Sequence, residues 1–132
     1  MSETPPVIAV LDDELPMRKA LRRLLSCHGY VVNEYAGGKE FLAALPSNTP
    51  DCLVLDLQMP EINGFDVLDA IFAERNNIPV VVITGHDEAG MSELLMAKGA
   101  SAYLLKPVDE AALVDAIDSA TGVRDALRIG AI

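Results

Sequence analysis

The 132-residue chain has no tryptophan, two cysteines, and half as many basic as acidic side chains: 10 Lys and Arg against 20 Asp and Glu, a net charge of −10. A duplex repels such a chain. With no Lys/Arg stripe to release counterions, direct binding to nucleic acid is not expected. Long apolar runs are missing too: the best, Cys52–Leu55 and Val80–Ile83, fall far short of the roughly 18 residues of a membrane span. The N-terminal Met1-Ser2-Glu3-Thr4-Pro5-Pro6 has an acid where a secretory signal has a base, so a cytoplasmic protein without a membrane partner is expected. Cys27 and Cys52 have neither CxxC nor metal spacing and sit in apolar periodic segments. They read as two free core thiols in a reducing compartment. No GxGxxG or Walker glycine loop follows the first strand-like run, which excludes a nucleotide-binding α/β module.

What is present is a chain with 51% apolar residues, enough to bury a core and about the length of one domain. Strand and helix patterns alternate five times. Short β-branched runs occur at Val7–Leu11, Tyr30–Asn33, Cys52–Leu55, Val80–Ile83 and Ala102–Leu105. Several are apolar at every position, as a parallel sheet covered on both faces by helices requires. Between them lie helical stripes: Met17, Leu21, Leu24 and Leu25; Phe41, Leu42 and Leu45; Phe65, Leu68, Ile71 and Phe72; Leu94, Leu95 and Ala97; Leu113, Val114 and Ile117. Gly29 and Gly99 stand where a left-handed residue ends a helix. The fourth helix, around Glu88–Lys98, contains Gly90, a cost of about 1 kcal/mol that loosens its first turn. The expected fold is a (βα)5 doubly wound, five-stranded parallel sheet with right-handed crossovers. Residues 1–6 read as a tail, 7–120 as one domain, and 121–132 as a helix extension or tail too short for an output domain.

The polar residues that interrupt this pattern are the informative ones. In a parallel sheet all strands end at one edge, where ligands bind. The first strand ends in Asp12-Asp13-Glu14, the third in Asp56, the fourth in Thr84 and the fifth in Lys106. With the first and third strands adjacent, about 4.8 Å apart, Asp12, Asp13 and Asp56 are crowded together. Such carboxylates repel and raise one another's pKa. A hard divalent cation such as Mg²⁺, sharing one or two carboxylates with a phosphate oxygen, resolves the conflict. Three aspartates, the cation and Lys106 then sum to nearly zero charge, and a carboxylate so compensated can attack phosphorus. Each residue alone has a plainer role. Asp12 and Asp13 can cap the first helix, Thr84-Gly85 can be a strand-to-turn junction, Lys106 a solvated lysine, and Tyr103 a strand aromatic. His28 reads as a cation at a helix C-terminus and His86 as a loop residue near the site. The conjunction at one edge favours an aspartyl-phosphate site.

Four segments carry a family resemblance: Val10-Leu11-Asp12-Asp13-Glu14, Leu53 through Gly64 (LVLDLQMPEING), Pro79 through His86 (PVVVITGH), and Lys98-Gly99-Ala100 with Tyr103-Leu104-Leu105-Lys106-Pro107. Over roughly Val7–Ser119 the chain resembles the CheY-like receiver domain of two-component response regulators, most nearly the FixJ-type branch, without its DNA-binding output domain. The resemblance implies strand order 2-1-3-4-5. It makes Asp56 the phosphoacceptor from a sensor histidine kinase or histidine phosphotransfer protein. It assigns Mg²⁺, with Mn²⁺ able to substitute, to Asp13 and Asp56, to Asp12 mainly through water, and to the Gln58 backbone carbonyl. Thr84, Gly85 and Lys106 would contact the phosphoryl group, and Thr84 and Tyr103 would form the switch. Gln58 and His86 would tune dephosphorylation, and Lys106–Pro107 would be a cis peptide. The output would be binding of an unidentified target, or homodimerisation, through the fourth helix, fifth strand and fifth helix. Two other receiver-fold roles are a phosphate sink and a phosphorylation-independent scaffold. A haloacid-dehalogenase-type phosphatase needs a second aspartate at position 58, where this chain has glutamine. No enzyme beyond self-catalysed phosphoryl transfer and autodephosphorylation is expected.

Overall fold

A computed structural model describes residues 5–59, 62–74 and 77–122. The order is β1 (Val7–Leu11), α1 (Leu15–Cys27), β2 (Val31–Tyr35), α2 (Gly38–Ala44), β3 (Cys52–Asp56), α3 (Gly64–Ala73), β4 (Val80–Thr84), α4 (Met91–Ala97), β5 (Ala102–Leu105) and α5 (Glu110–Thr121). The strands pair in parallel in the order β2-β1-β3-β4-β5, the expected doubly wound sheet. No helix among the described residues is long and apolar enough to cross a membrane.

The continuous apolar runs follow from burial on both faces. Because alternate strand residues point to opposite sides, Ala9, Leu11, Leu53, Leu55, Val80 and Val82 pack with Phe41, Leu68, Ile71 and Leu95 of α2, α3 and α4. Ile8, Val10, Cys52, Val54, Val81 and Ile83 pack with Leu21, Leu25, Leu113 and Ile117 of α1 and α5. The central strands β3 and β4 are buried at every position. The edge strand β2 extends to Tyr35, two residues beyond the expected Asn33, and begins one later, at Val31. Glu34 and Tyr35 belong to a strand with one covered edge and partial exposure, so they carry no two-faced apolar signal.

Four expectations need correction. Cys27 is exposed; Cys52 alone is a core thiol. Phe72 is 61% exposed, since at 3.6 residues per turn it lies about 100° round the helix from Ile71. Leu94 is 47% exposed beside the fully buried Leu95. Gly90 lies before α4, not inside it: it is the N-cap residue at φ 83, where left-handed backbone favours glycine. Gly29 and Gly99 do adopt positive φ after their helices. His28 is the C-cap residue of α1, with Nε2 at 3.0 Å from Glu110 Oε2. Helix α5 ends at Thr121, followed by a left-handed Gly122; residues 123–132 of the expected extension lie outside the described residues.

Candidate functional site at the carboxyl edge of the sheet

Parallel pairing sets the strand ends side by side. Asp12 follows β1, Asp56 ends β3, Thr84 ends β4, and Lys106 follows β5. The register pairs Leu11 with Leu55, which makes Asp12 and Asp56 neighbours at the next step. Asp12 and Thr84 are fully buried and Asp56 is 2% exposed. Asp13 is exposed, yet one carboxylate oxygen from each of Asp12, Asp13 and Asp56 lies within 4.8 Å of the others.

Local backbone structure holds the carboxylates in place. The N-cap residue of α1 is Glu14, without a side-chain cap bond, and Pro16 lies in the first turn. Asp12 and Asp13 therefore do not cap the helix. Asp12 Oδ1 instead accepts the Glu14 N–H at 2.9 Å. Asp56 Oδ1 accepts the Gln58 N–H at 3.3 Å. The chain leaving β3 is pinned where α3 begins: the Gly64 N–H donates to the Leu57 carbonyl at 3.0 Å, and a Cβ at Gly64 would stand 2.7 Å from Leu57 Cα. An Asn63–Asp66 capping box starts α3.

Lys106 is the cation of the cluster. Its Nζ lies 3.4 Å from Asp56 Oδ1, 3.6 Å from Glu14 Oε1 and 3.8 Å from Asp12 Oδ2. One ammonium does not answer three carboxylates. Burial, followed by the charge of Asp12, pushes the Asp56 carboxyl up to about 6. Burial likewise raises Asp12. For Lys106 burial acts downward, but Asp56 and Asp12 outweigh it and hold the ammonium above its ordinary range. Asp12 Oδ2 is buried and has no hydrogen-bond partner, a costly state for a carboxylate oxygen. Three clustered carboxylates, one with a buried oxygen that accepts no hydrogen bond, fit a hard divalent cation with oxygen ligands.

Thr84 faces the adjacent loop: Oγ1 accepts the His86 N–H at 3.1 Å and donates to the His86 carbonyl at 3.4 Å. The Tyr103 hydroxyl donates to that same carbonyl at 3.4 Å and lies 3.2 Å from Asp87 Oδ1. A Cβ at Gly85 would meet nothing within 4 Å. Gln58 and His86 both line a cleft of about 440 Å³ beside Thr84, with Met59, Phe65 and Met91 among its walls. The Lys106–Pro107 peptide is cis. Glu14, Asp87 and Arg18, whose Nη1 donates to the Asp12 carbonyl at 2.7 Å, were given no role from the sequence. Only their cross-element contacts single these three out.

The geometry agrees with what the chain is similar to. Residues 8–118 match the response regulator receiver domain family. The transcriptional regulatory protein FixJ of Rhizobium meliloti is 34% identical over 118 residues, covering 89% of this chain and 58% of that protein. Nodulation protein W of Bradyrhizobium diazoefficiens is 31% identical, covering 91% and 53%. The chain thus spans little more than half the length of these relatives. The crystal structure of FixJ-N superposes with a TM-score of 0.83 at 33% identity, covering 90% of this chain and 95% of that one. A receiver protein from Burkholderia phymatum gives 0.79 at 39% identity, covering 89% and 95%. A five-stranded sheet in this order, acids at its carboxyl edge and a match over nearly the whole described chain establish that the protein belongs to the receiver domain family of two-component response regulators.

Proposed function

We propose that Asp56 is the phosphoacceptor of a phosphorylation-dependent switch. Its donor is the phosphohistidine of a sensor histidine kinase or histidine phosphotransfer protein. An Asp56 oxygen attacks phosphorus, the P–N bond to the donor breaks, and the electron pair stays on the departing imidazole nitrogen, which takes a proton from solvent. Mg²⁺, or Mn²⁺ in its place, supplies charge compensation at the phosphoryl oxygens when bound. Asp13, Asp56 and the Gln58 carbonyl would hold it, with Asp12 acting through water. Lys106, already 3.4 Å from Asp56, pairs with the added charge of roughly −1.5 to −2. Gly85 has open space where a side chain would stand and leaves the phosphoryl group accessible. Gln58 and His86 flank the route by which water would reach it and set its lifetime.

The observation that carries this reading is the buried Oδ2 of Asp12, which accepts no hydrogen bond and has only the Lys106 ammonium 3.8 Å away, beside a nearly buried Asp56. A fold kept only as a scaffold has no reason to retain that cost. For signalling, Thr84 would exchange its His86 contacts for the phosphoryl group, and Tyr103 would turn inward. Both hydroxyls converge on the His86 carbonyl, so moving one changes the environment of the other. Leu94, Met96 and Leu105 are exposed on α4 and β5, which supports that face as the surface for a protein target or a second copy. The test is intact mass after incubation with acetyl phosphate and Mg²⁺, beside Asp56→Asn. One phosphoryl group should be gained by the wild type alone, and only with Mg²⁺. No adduct from acetyl phosphate or from candidate kinases would refute the proposal.

A further inference from the structure

Behind the acidic cluster, Arg18 of α1 and Glu34 of β2 touch each other, and Arg18 touches the backbone of Asp12. Arg18 Nη1 donates to the backbone carbonyl of Asp12 at 2.7 Å, while its Nε donates to Glu34 Oε1 at 3.3 Å. Glu34 also accepts from Lys19 at 3.1 Å and Arg22 at 3.0 Å. The side chains of Arg18 and Glu34 are only 13% and 15% exposed. The Asp12 N–H donates to the Tyr35 carbonyl at 3.2 Å. Asp12 is therefore tied to β2 through its N–H and to α1 through its carbonyl. That carbonyl belongs to the peptide joining Asp12 to Asp13, so its direction sets where Asp13 leaves the strand.

We infer that Arg18, oriented by Glu34, is a positioning residue that fixes the Asp12–Asp13 peptide for the divalent cation. The inference rests on the metal-dependent reading of this site and extends it to residues that touch neither metal nor phosphoryl group. Glu34 has a second part to play. A free guanidinium beside three carboxylates would pair with them and compete with the cation; Glu34 occupies its other edge and holds it to the backbone carbonyl. The planar fork matters, because two donors in fixed directions serve two acceptors on different elements. A lysine ammonium is a single point charge on a flexible stem.

Electrostatics alone and positioning predict opposite signs. Removing a positive charge beside an acidic cluster should tighten cation binding, whereas losing the positioning contact should weaken it. Groups that orient metal ligands typically contribute 10–100-fold in affinity. Mg²⁺ affinity is measured by calorimetry on the full chain for wild type, Arg18→Gln, Arg18→Lys and Glu34→Gln, with circular dichroism to establish folding. About tenfold weaker binding is expected for both Arg18 variants, and a smaller loss for Glu34→Gln. Acetyl phosphate labelling at saturating Mg²⁺ should remain near the wild-type rate. Arg18→Lys keeps the charge and tests the fork if Arg18→Gln does not fold. Unchanged or tighter Mg²⁺ binding in folded Arg18 variants overturns the inference. A wild-type protein that binds no Mg²⁺ overturns instead the reading on which it rests.

Discussion

Replacing Asp56 by asparagine should stabilise the metal-free protein at neutral pH, although it removes the central residue of the site. The carboxyl titrates at about 6 instead of its usual 3.8, chiefly because it is buried and secondly because Asp12 is charged. An acid whose native pKa lies above its unfolded value binds protons more tightly when folded. Between those two values the native state holds more protons, so stability falls as pH rises. The contribution is complete below about pH 4 and gone above about pH 6. Two pKa units correspond to about 3 kcal/mol. Asparagine keeps the shape, removes the charge, and leaves Lys106 with Asp12 and Glu14. Thermal melts in metal-free buffer from pH 4.5 to 8 should show the wild type losing stability relative to Asp56→Asn. The difference should grow by about 2–3 kcal/mol, or roughly 6–12 °C in Tm. Added Mg²⁺ should stabilise the wild type at pH 7.5 and the variant much less. Parallel pH profiles for the two proteins would refute the argument, because Asp56 would then not be the strained group.

Thr84→Ala should still accept a phosphoryl group from acetyl phosphate, but its amide spectrum around Tyr103 should respond to phosphorylation less than the wild type's; a full response would sever the coupling through the His86 carbonyl. Asp87→Ala removes a hydroxyl partner of Tyr103 and should broaden the ring's NMR signals by loosening the hold on its hydroxyl, with a stability change under about 1 kcal/mol by denaturant titration. Gly64→Ala forces a Cβ against Leu57 Cα at 2.7 Å and should cost about 1–3 kcal/mol in urea unfolding. A neutral Gly64→Ala would mean that the chain leaving β3 yields easily. Leu55→Ala, in the buried centre of β3, should cost about 2–5 kcal/mol; less than 1 kcal/mol would contradict close packing there.

The fold was legible because β3 and β4 are apolar at every position, a pattern that two-sided burial produces and a half-exposed strand does not. The same rule explains the shortfall at β2, whose Glu34 and Tyr35 gave no apolar signal. Helical stripes identified the helices but not their boundaries in angle: Phe72 and Leu94 look like core residues in a one-dimensional pattern and are exposed in three dimensions. Gly90 looked like a defect within α4 because helix starts are the least distinct part of such a pattern. At the site, Asp12, Asp56, Thr84 and Lys106 were legible as polar residues that end apolar strands. The contacts of Arg18 with Asp12 and Glu34, and of Asp87 with Tyr103, were not. They join residues 6 to 16 positions apart across different elements, and no spacing rule predicts such pairs.

The strand order also bears on how the chain can be cut or synthesised. The three acids arrive early: Asp12 and Asp13 follow the first strand and Asp56 ends the third. Their ammonium, Lys106, follows the fifth, which among the described residues pairs only with β4, at the sheet's far edge. A nascent or truncated chain that stops before β5 can pair β2, β1, β3 and β4, yet it holds its buried carboxylates without Lys106. Such a fragment has the acids but lacks the cation that offsets them, and a chain stopped before β5 should aggregate or be degraded.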